Sequence, residues 1–551
     1  MNGQDAPGVP PSSVVIPSAS VRSKAALDEP SGPPRYMPGL PEGTPADAGE
    51  LTPPAPVTLF TDALQRSYWT HPNLLAQRAR VRSADYRMPQ ARAASGPSIS
   101  AEASYGYQRD NVELSTGSWA ARSGWASTAS AIVNQPLYTF GRNAAGEHQA
   151  GAEIAFERAS LRTTEMETLF GAIAAYAGLL RDRSDIGVVA DDLALLEREL
   201  SDNKARFEKR EVTVSDLQQV ETRVEQARAQ MLLARRTASS AEANFLAAIG
   251  APAGNLQPPN PLSMPVASLE EAYAYADSNS PVLAAAYAPE RISRAARDGA
   301  RADMLPRFDL RGRADYGTIS PYHDDPRQTT LRGEVVVSAP VFASGALRAR
   351  SQEAEAANDA DWRLLDAALR QNRFEVASAW NDWVATSAAI DPLRRSAEQA
   401  RAAFDGALLQ EKAGFRTTLD VLQLARDLLS ARSSYNAATA NAYIAQARLL
   451  AAMGALEQSW LFPDAPVYDP DAHYQRTKND GMIPVIVPAL RAVDGVTLGG
   501  GKNRAVRDPA ASTAAPAVTI PPPAAQPVPT GQEDRTGSGI IPFAVDSCGE
   551  A

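Results

Sequence analysis

The sequence predicts a mainly α-helical chain built from two tandem copies of one unit, each copy carrying a β-hairpin suited to lipid on one side and water on the other. Three observations predict it. Of 42 prolines in 551 residues, 13 precede residue 58 and 13 follow residue 456, leaving 16 in the 399 residues between, so the folded body is the middle. That middle repeats itself. Four short stretches within it alternate apolar and polar residues with the period of a strand.

The repeat is read by self-comparison. At an offset of 209, Asp62, Ala63, Pro72, Leu74 and Pro97 match Glu271, Ala272, Pro281, Leu283 and Pro306. At an offset of 204, Pro136, Leu137, Tyr138 and Gly141 match Pro340, Val341, Phe342 and Gly345, and Thr213, Asp216 and Gly250 match Thr417, Asp420 and Gly454. The five-residue difference falls between Pro97 and Pro136, where loops absorb length changes. The expected organisation is a disordered segment 1–57, a first repeat 58–255 with hairpin 97–136, a second repeat 267–456 with hairpin 306–340, and a largely disordered extension 457–551.

Residues 58–95 read as an amphipathic helix that Pro89 bends or ends. Residues 98–108 alternate Ile99, Ala101, Ala103, Tyr105 and Tyr107 against Ser98, Ser100, Glu102, Ser104 and Gln108; Trp125–Val133 alternates weakly. Residues 142–250 lack proline and are rich in Ala, Leu, Glu, Gln and Arg, which predicts two very long helices or one interrupted helix. The second copy predicts helices over 268–303, 346–413 and 418–454, with kinks at Pro289 and Pro392. Its strands set Phe308, Leu310, Ala314 and Tyr316 against Arg307, Asp309, Arg311, Arg313 and Asp315, and Leu331, Val335 and Val337 against Arg332, Glu334 and Ser338. Gly141 and Gly345 ease the turn from strand to helix. Leu193, Leu196, Leu200 and Phe207 form a coiled-coil seam, and Trp380 and Trp383 fill helix packing.

An ordinary half-buried hairpin alternates equally well. Strand length, aromatic ends and the lack of any other sheet to join favour lipid. Four strands are too few to close a membrane barrel, so a barrel must be assembled from several chains: eight strands from two, twelve from three.

Composition excludes other classes. With 54 Lys and Arg against 64 Asp and Glu, the net charge of −10 opposes phosphate binding, so no nucleic-acid partner is expected. The single cysteine, Cys548, rules out an intrachain disulfide, and His71, His148, His323 and His473 lack metal-ligand spacing. Neither a metal, a cofactor nor an enzymatic site is expected, and GGGK at 499–502 lacks the preceding strand of a nucleotide loop. No apolar run reaches the length of a transmembrane helix. Residues 1–57 lack the basic start, apolar core and cleavage site of a secretory leader, which taken alone weighs against export.

Several segments, at their expected places, resemble the TolC family of bacterial outer-membrane channels over residues 58–456: TLFTDALQRSYWTHP at 58–72, QPLYTFGR at 135–142, APVFASGA at 339–346 and GFRTTLDVLQLARDLLSARSSYN at 414–436. The resemblance implies a homotrimer in the outer membrane, with four strands per chain in a twelve-stranded barrel continued by a helical tunnel in the periplasm. It implies a periplasmic gate at the helix tips, where Asp420 takes the place of a ring aspartate and Arg416 and Asp216 those of its closing network. Gln423 departs from a second ring aspartate and Glu411 from a latch tyrosine. The alternative for both aspartates is a charge favourable to a helix N-terminus. A periplasmic adaptor is expected at the tips, around Arg210, Thr213, Gly414 and Thr417, and an inner-membrane transporter behind it. Residues 465–475 resemble an extension found in type I protein secretion members, which makes a secretion duct the expected function and small-molecule efflux the alternative. A soluble coiled-coil scaffold is the rival from another class.

Overall fold

The computed structural model describes residues 55–462, 465–481 and 486–494. The N-terminal part opens with three helices where one bent helix was expected: α1 (Phe60–Thr70), α2 (Pro72–Asp85) and α3 (Arg87–Ala93). The first break falls at His71 because a residue before proline is pushed out of the helical region, and His71 is extended with ψ 124°. Pro89 marks the second break, since it cannot donate to the Asp85 carbonyl four residues back, where α2 ends. It occupies the first turn of α3, where a backbone N–H has no intrahelical acceptor in any case.

Two strands follow, β1 (Ser98–Glu113) and β2 (Trp119–Tyr138), both longer than their alternation suggested. Of the two readings left open for 142–250, two helices are observed: α4 (Arg142–Glu208), whose 67 residues span about 100 Å, and α5 (Val214–Ile249). The second half follows the same order. Ser280 precedes Pro281 and splits the expected helix 268–303 into α6 (Leu269–Asn279) and α7 (Pro281–Ala302). Then come β3 (Arg307–Thr318), β4 (Arg327–Ser338), α8 (Ala346–Lys412) and α9 (Thr418–Met453), with Pro289 and Pro392 inside unbroken helices. Gly141 and Gly345, each just before a long helix, have φ of 87° and 82°, a conformation that disfavours a Cβ.

The two hairpins join into one antiparallel sheet of order β1-β2-β3-β4. Its register collects the apolar side chains on one face. Ile99 opposes Val133, Tyr107 opposes Trp125, Ala131 opposes Ala314, Leu310 opposes Val335 and Ala314 opposes Leu331. The other face carries Glu102 opposite Ser130, Ser130 opposite Asp315 and Arg311 opposite Glu334. Among the described residues the apolar face is largely uncovered: Ile99 is 73% exposed and Leu331 79%.

The main core forms where both helix pairs meet the N-terminal helices of each half. Leu64, Leu74, Leu169, Ile173, Tyr176, Phe245, Ile249, Val376, Leu449 and Met453 are fully buried there. Val57, assigned from sequence to the N-terminal segment, bridges Ala253. The described part of the C-terminal extension is folded, while the stretch expected to be disordered falls mainly outside the described residues. It forms α10 (Gln458–Leu461), α11 (Asp471–Thr477) and α12 (Ile486–Asp494). Tyr468 is buried, His473 Nδ1 lies 2.8 Å from the fully buried Asp85, and Arg158 pairs with Asp471 at 2.7 Å. Residues 495–551, including GGGK and Cys548, and residues 1–54 lie outside the described residues.

Phe245 is completely enclosed and lies tilted at 44° against Tyr176 with 6.1 Å between ring centroids. Phe245→Ala is expected to destabilise the chain by about 3–5 kcal/mol through lost burial and a cavity, seen as a lower midpoint in denaturant titration.

Candidate functional site at the helix tips

The long helices turn back at two tips with matching backbones. At the first, Arg210 adopts φ +62°, the Glu211 N–H donates to Arg206 O at 2.9 Å, and α5 begins after Thr213. At the second, Gly414 adopts φ +79°, the Phe415 N–H donates to Gln410 O at 2.8 Å, and α9 begins after Thr417. Each long helix therefore ends in a left-handed residue whose successor bonds back across the last turn, which satisfies its final carbonyls. Arginine at position 210 tolerates this at a cost on the order of 1 kcal/mol that glycine at 414 avoids.

Both candidate aspartates close capping boxes. Thr213 accepts from the Asp216 N–H at 3.2 Å, while Asp216 Oδ2 accepts from the Thr213 N–H at 3.1 Å and its hydroxyl at 2.8 Å. Thr417 and Asp420 repeat this at 3.2, 3.3 and 2.9 Å. The N-terminal alternative is therefore real in this chain: each carboxylate satisfies a helix start. The Thr417 hydroxyl, then its backbone N–H, then the Arg416 charge hold the exposed Asp420 carboxyl below its ordinary value of 3.8. A depressed carboxylate pKa stabilises the fold above that ordinary value, and the contribution is lost as pH falls through the depressed one. Arg416 is exposed beside it, and Gln423 is engaged along α9, donating to Asp427 Oδ1 at 3.2 Å.

Glu411 sits differently from the other four gate candidates. It is buried, 3% exposed, and pairs with Arg206 of α4 while accepting from the Thr418 hydroxyl at 3.3 Å. This one carboxylate thus ties the ends of α4 and α8 to the start of α9. Nearby, burial and the Glu411 charge push the Glu199 carboxyl up, and Asn203 donates to Glu199 Oε1 at 2.9 Å. Arg206 and Thr418 were not identified from sequence. A signal existed: Phe404, Ala407 and Glu411 share one helical stripe, and a carboxylate on an apolar stripe requires a cation. Further along the same helices, a cavity of about 300 Å³ is lined by Asp191, Asp192, Arg198, Arg401, Phe404 and Arg432, and burial pushes the Asp192 carboxyl up to about 6.

A family model described as outer membrane efflux protein matches residues 62–251 and 272–455. The chain is 26% identical over 427 residues to the outer membrane efflux protein BepC of Brucella suis, covering 76% of this chain and 90% of BepC. It is 24% identical over 339 residues to the alkaline protease secretion protein AprF of Pseudomonas aeruginosa, covering 59% of this chain and 69% of AprF. Among solved structures, the outer membrane protein VceC of Vibrio cholerae superposes with TM-score 0.63 at 18% identity over 72% of this chain and 96% of VceC. The CmeC outer membrane channel of Campylobacter jejuni gives TM-score 0.64 at 12% identity over 76% and 89%. These structural likenesses establish the fold.

Arg206→Ala strands a buried carboxylate, on the order of 1–3 kcal/mol, whereas Glu411→Gln removes the charge and keeps the shape. Faster proteolysis at residues 205–215 and 409–418 is therefore expected in Arg206→Ala, and a smaller increase in the double variant with Glu411→Gln.

Proposed function

This chain belongs to the outer membrane efflux protein family, channels of the outer membrane rather than enzymes, and on that premise we propose that three copies form the passive exit duct of a tripartite exporter. The observation that carries the proposal is the four-stranded sheet, whose apolar face is largely exposed among the described residues and whose ends lead into α4 and α8. Three such sheets would close a twelve-stranded barrel with the apolar face toward lipid and the charged face toward water. The paired long helices of the three chains would continue it as a tunnel, each chain supplying two tandem units with residues 58–255 and 267–456 as their bounds.

The tips form the gate in this reading. Asp420, exposed and beside Arg416, ionises readily and suits a threefold carboxylate ring, with Asp216 and Arg416 in the contacts that hold it closed and Gln423 weakening its charge one turn on. Exposed ion pairs contribute about 0–1 kcal/mol each, so a docked partner can open a gate of this kind by binding the open form better. A periplasmic adaptor would seat at Arg210, Thr213, Gly414 and Thr417, and an inner-membrane transporter would supply the energy. Type I protein secretion is the favoured cargo route, supported by the packed 465–477 extension and the likeness to AprF. Small-molecule efflux is the second reading, favoured by the longer match to BepC. Deleting the gene separates them: loss of an exported protein supports the first, drug sensitivity alone the second.

Two outcomes test the duct. Leu331→Arg places a charge on the lipid side at a cost of about 2–4 kcal/mol per chain and is expected to abolish the trimer-sized band on unheated gels, whereas Arg332→Leu, on the water side, retains it. Arg416→Ser or Asp216→Ala is expected to raise single-channel conductance in planar bilayers; unchanged conductance in both removes these residues from the gate.

A further inference from the structure

The loop between β3 and β4 does not extend away from the sheet. Residues 319–326 are closed at their base by the Ile319 N–H donating to Pro326 O at 3.0 Å, and the segment folds back over β2. β2 pairs with β3 only from Thr128 onward, so Trp119–Ser127 runs on beside β1 with its other edge open. The loop hooks over that edge. A Cβ on Gly124 would stand 1.6 Å from the Tyr322 carbonyl oxygen, so the loop backbone occupies the space that any other residue at 124 would fill. The Tyr322 hydroxyl reaches on to Asp110 Oδ2 of β1, and Asp324 accepts at 2.6 Å from the hydroxyl of Ser127, which is in step with Trp125, so the loop wraps round the edge and holds it from both faces.

Register decides which face this is. Gly124 opposes Gln108 and Asp110 opposes Arg122, in step with Glu102 and Ser130 on the charged face. The neighbour Trp125 points the other way, stacking on Tyr105 at 5.0 Å. Two separate contacts, the Gly124 cradle and the Tyr322–Asp110 hydrogen bond, thus place the loop across the face that the barrel reading turns inward.

We propose that segment 319–326 narrows the outward mouth of the barrel and sets the size limit for cargo leaving there, with Gly124 as the specificity-determining position that admits it. The proposal rests on the duct reading. Three copies, one per chain, would form a constriction at the opposite end from the helix tips. It filters by size and needs no input from a periplasmic partner.

The test uses the full chain with Cys548→Ser and Ser130→Cys, a reporter on the inward face below the loop. Intact cells are treated from outside with a small maleimide and with a maleimide carrying a 5 kDa polyethylene glycol. With the native loop, the small reagent labels position 130 and the large one is at least 10-fold slower relative to it. Gly124→Ala, which fits a strand but evicts the loop, is expected to raise the large-reagent rate about 10-fold with the small-reagent rate unchanged. Tyr322→Phe adds no atom and is expected to raise it about 3-fold, so it carries the comparison if Gly124→Ala loses the trimer on unheated gels. Equal rates with and without the substitutions, in trimers, overturn the constriction while leaving the duct intact. Absence of the trimer in the parent protein overturns the duct reading and the constriction with it.

Discussion

A four-stranded sheet with one uncovered apolar face and two open edges is the constraint on which the rest of this molecule depends. β1 and β4 are the edge strands, 16 and 12 residues long, and each presents a row of backbone donors and acceptors on its outer side. In hydrocarbon an unpaired backbone group costs several kcal/mol, so such edges cannot end in lipid. In the proposed barrel both edges pair, and since β4 runs antiparallel to β1, a second copy of the chain would supply the complementary edge in the right direction. Among the described residues the apolar face stays largely exposed, with Ile99, Leu310, Leu331 and Val335 open on it.

The helices inherit their geometry from that sheet. Strand must become helix within a few residues, and both junctions use a left-handed glycine to do so. The first junction is also fastened from outside, where Asp494 at the end of α12 accepts from the Thr139 N–H and hydroxyl, the latter at 2.8 Å, and Arg491 pairs with Glu147. At the equivalent point of the second half, Val341 and Phe342 are 94% and 86% exposed. The extension that reaches α12 is itself held at Arg78, a buried guanidinium lying 4.5 Å over Tyr68 and 4.8 Å over Tyr468 of the extension, with Glu165 at 3.9 Å. Burial pushes the Glu165 carboxyl up, as expected for a carboxylate whose desolvation outweighs its cation.

Much of the fold was legible because it rests on periodicity and punctuation. Alternation at 307–316 located β3, the proline-free run 142–250 contained α4 and α5, and the helix expected over 418–454 matches α9. What was misplaced has a local cause. One break near the N-terminus was expected, at Pro89, and α2 does end four residues before it; a second falls at His71, where the residue before Pro72 leaves the helical region. β2 was underestimated because its 20 residues include Pro136, which is accommodated by a register shift that no one-dimensional pattern displays. Of the candidate site, Asp216 and Asp420 could be placed at helix starts, but the partner of Glu411 could not, since Arg206 lies 205 residues away in the chain.

The sequence by itself determined the elements and their faces: which residues alternate, which run without a breaker, where an aspartate suits a helix start. Those properties are local, set by backbone sterics and by hydrogen bonds within a turn. Only the tertiary structure decided that β2 pairs with β3 to join two hairpins into one sheet, that Glu411 is a buried strut and Asp420 an exposed cap, and that a loop of β3 and β4 rests on Gly124 of another strand. These depend on segments distant in sequence meeting under close packing, where an absent Cβ or one buried charge fixes what can approach.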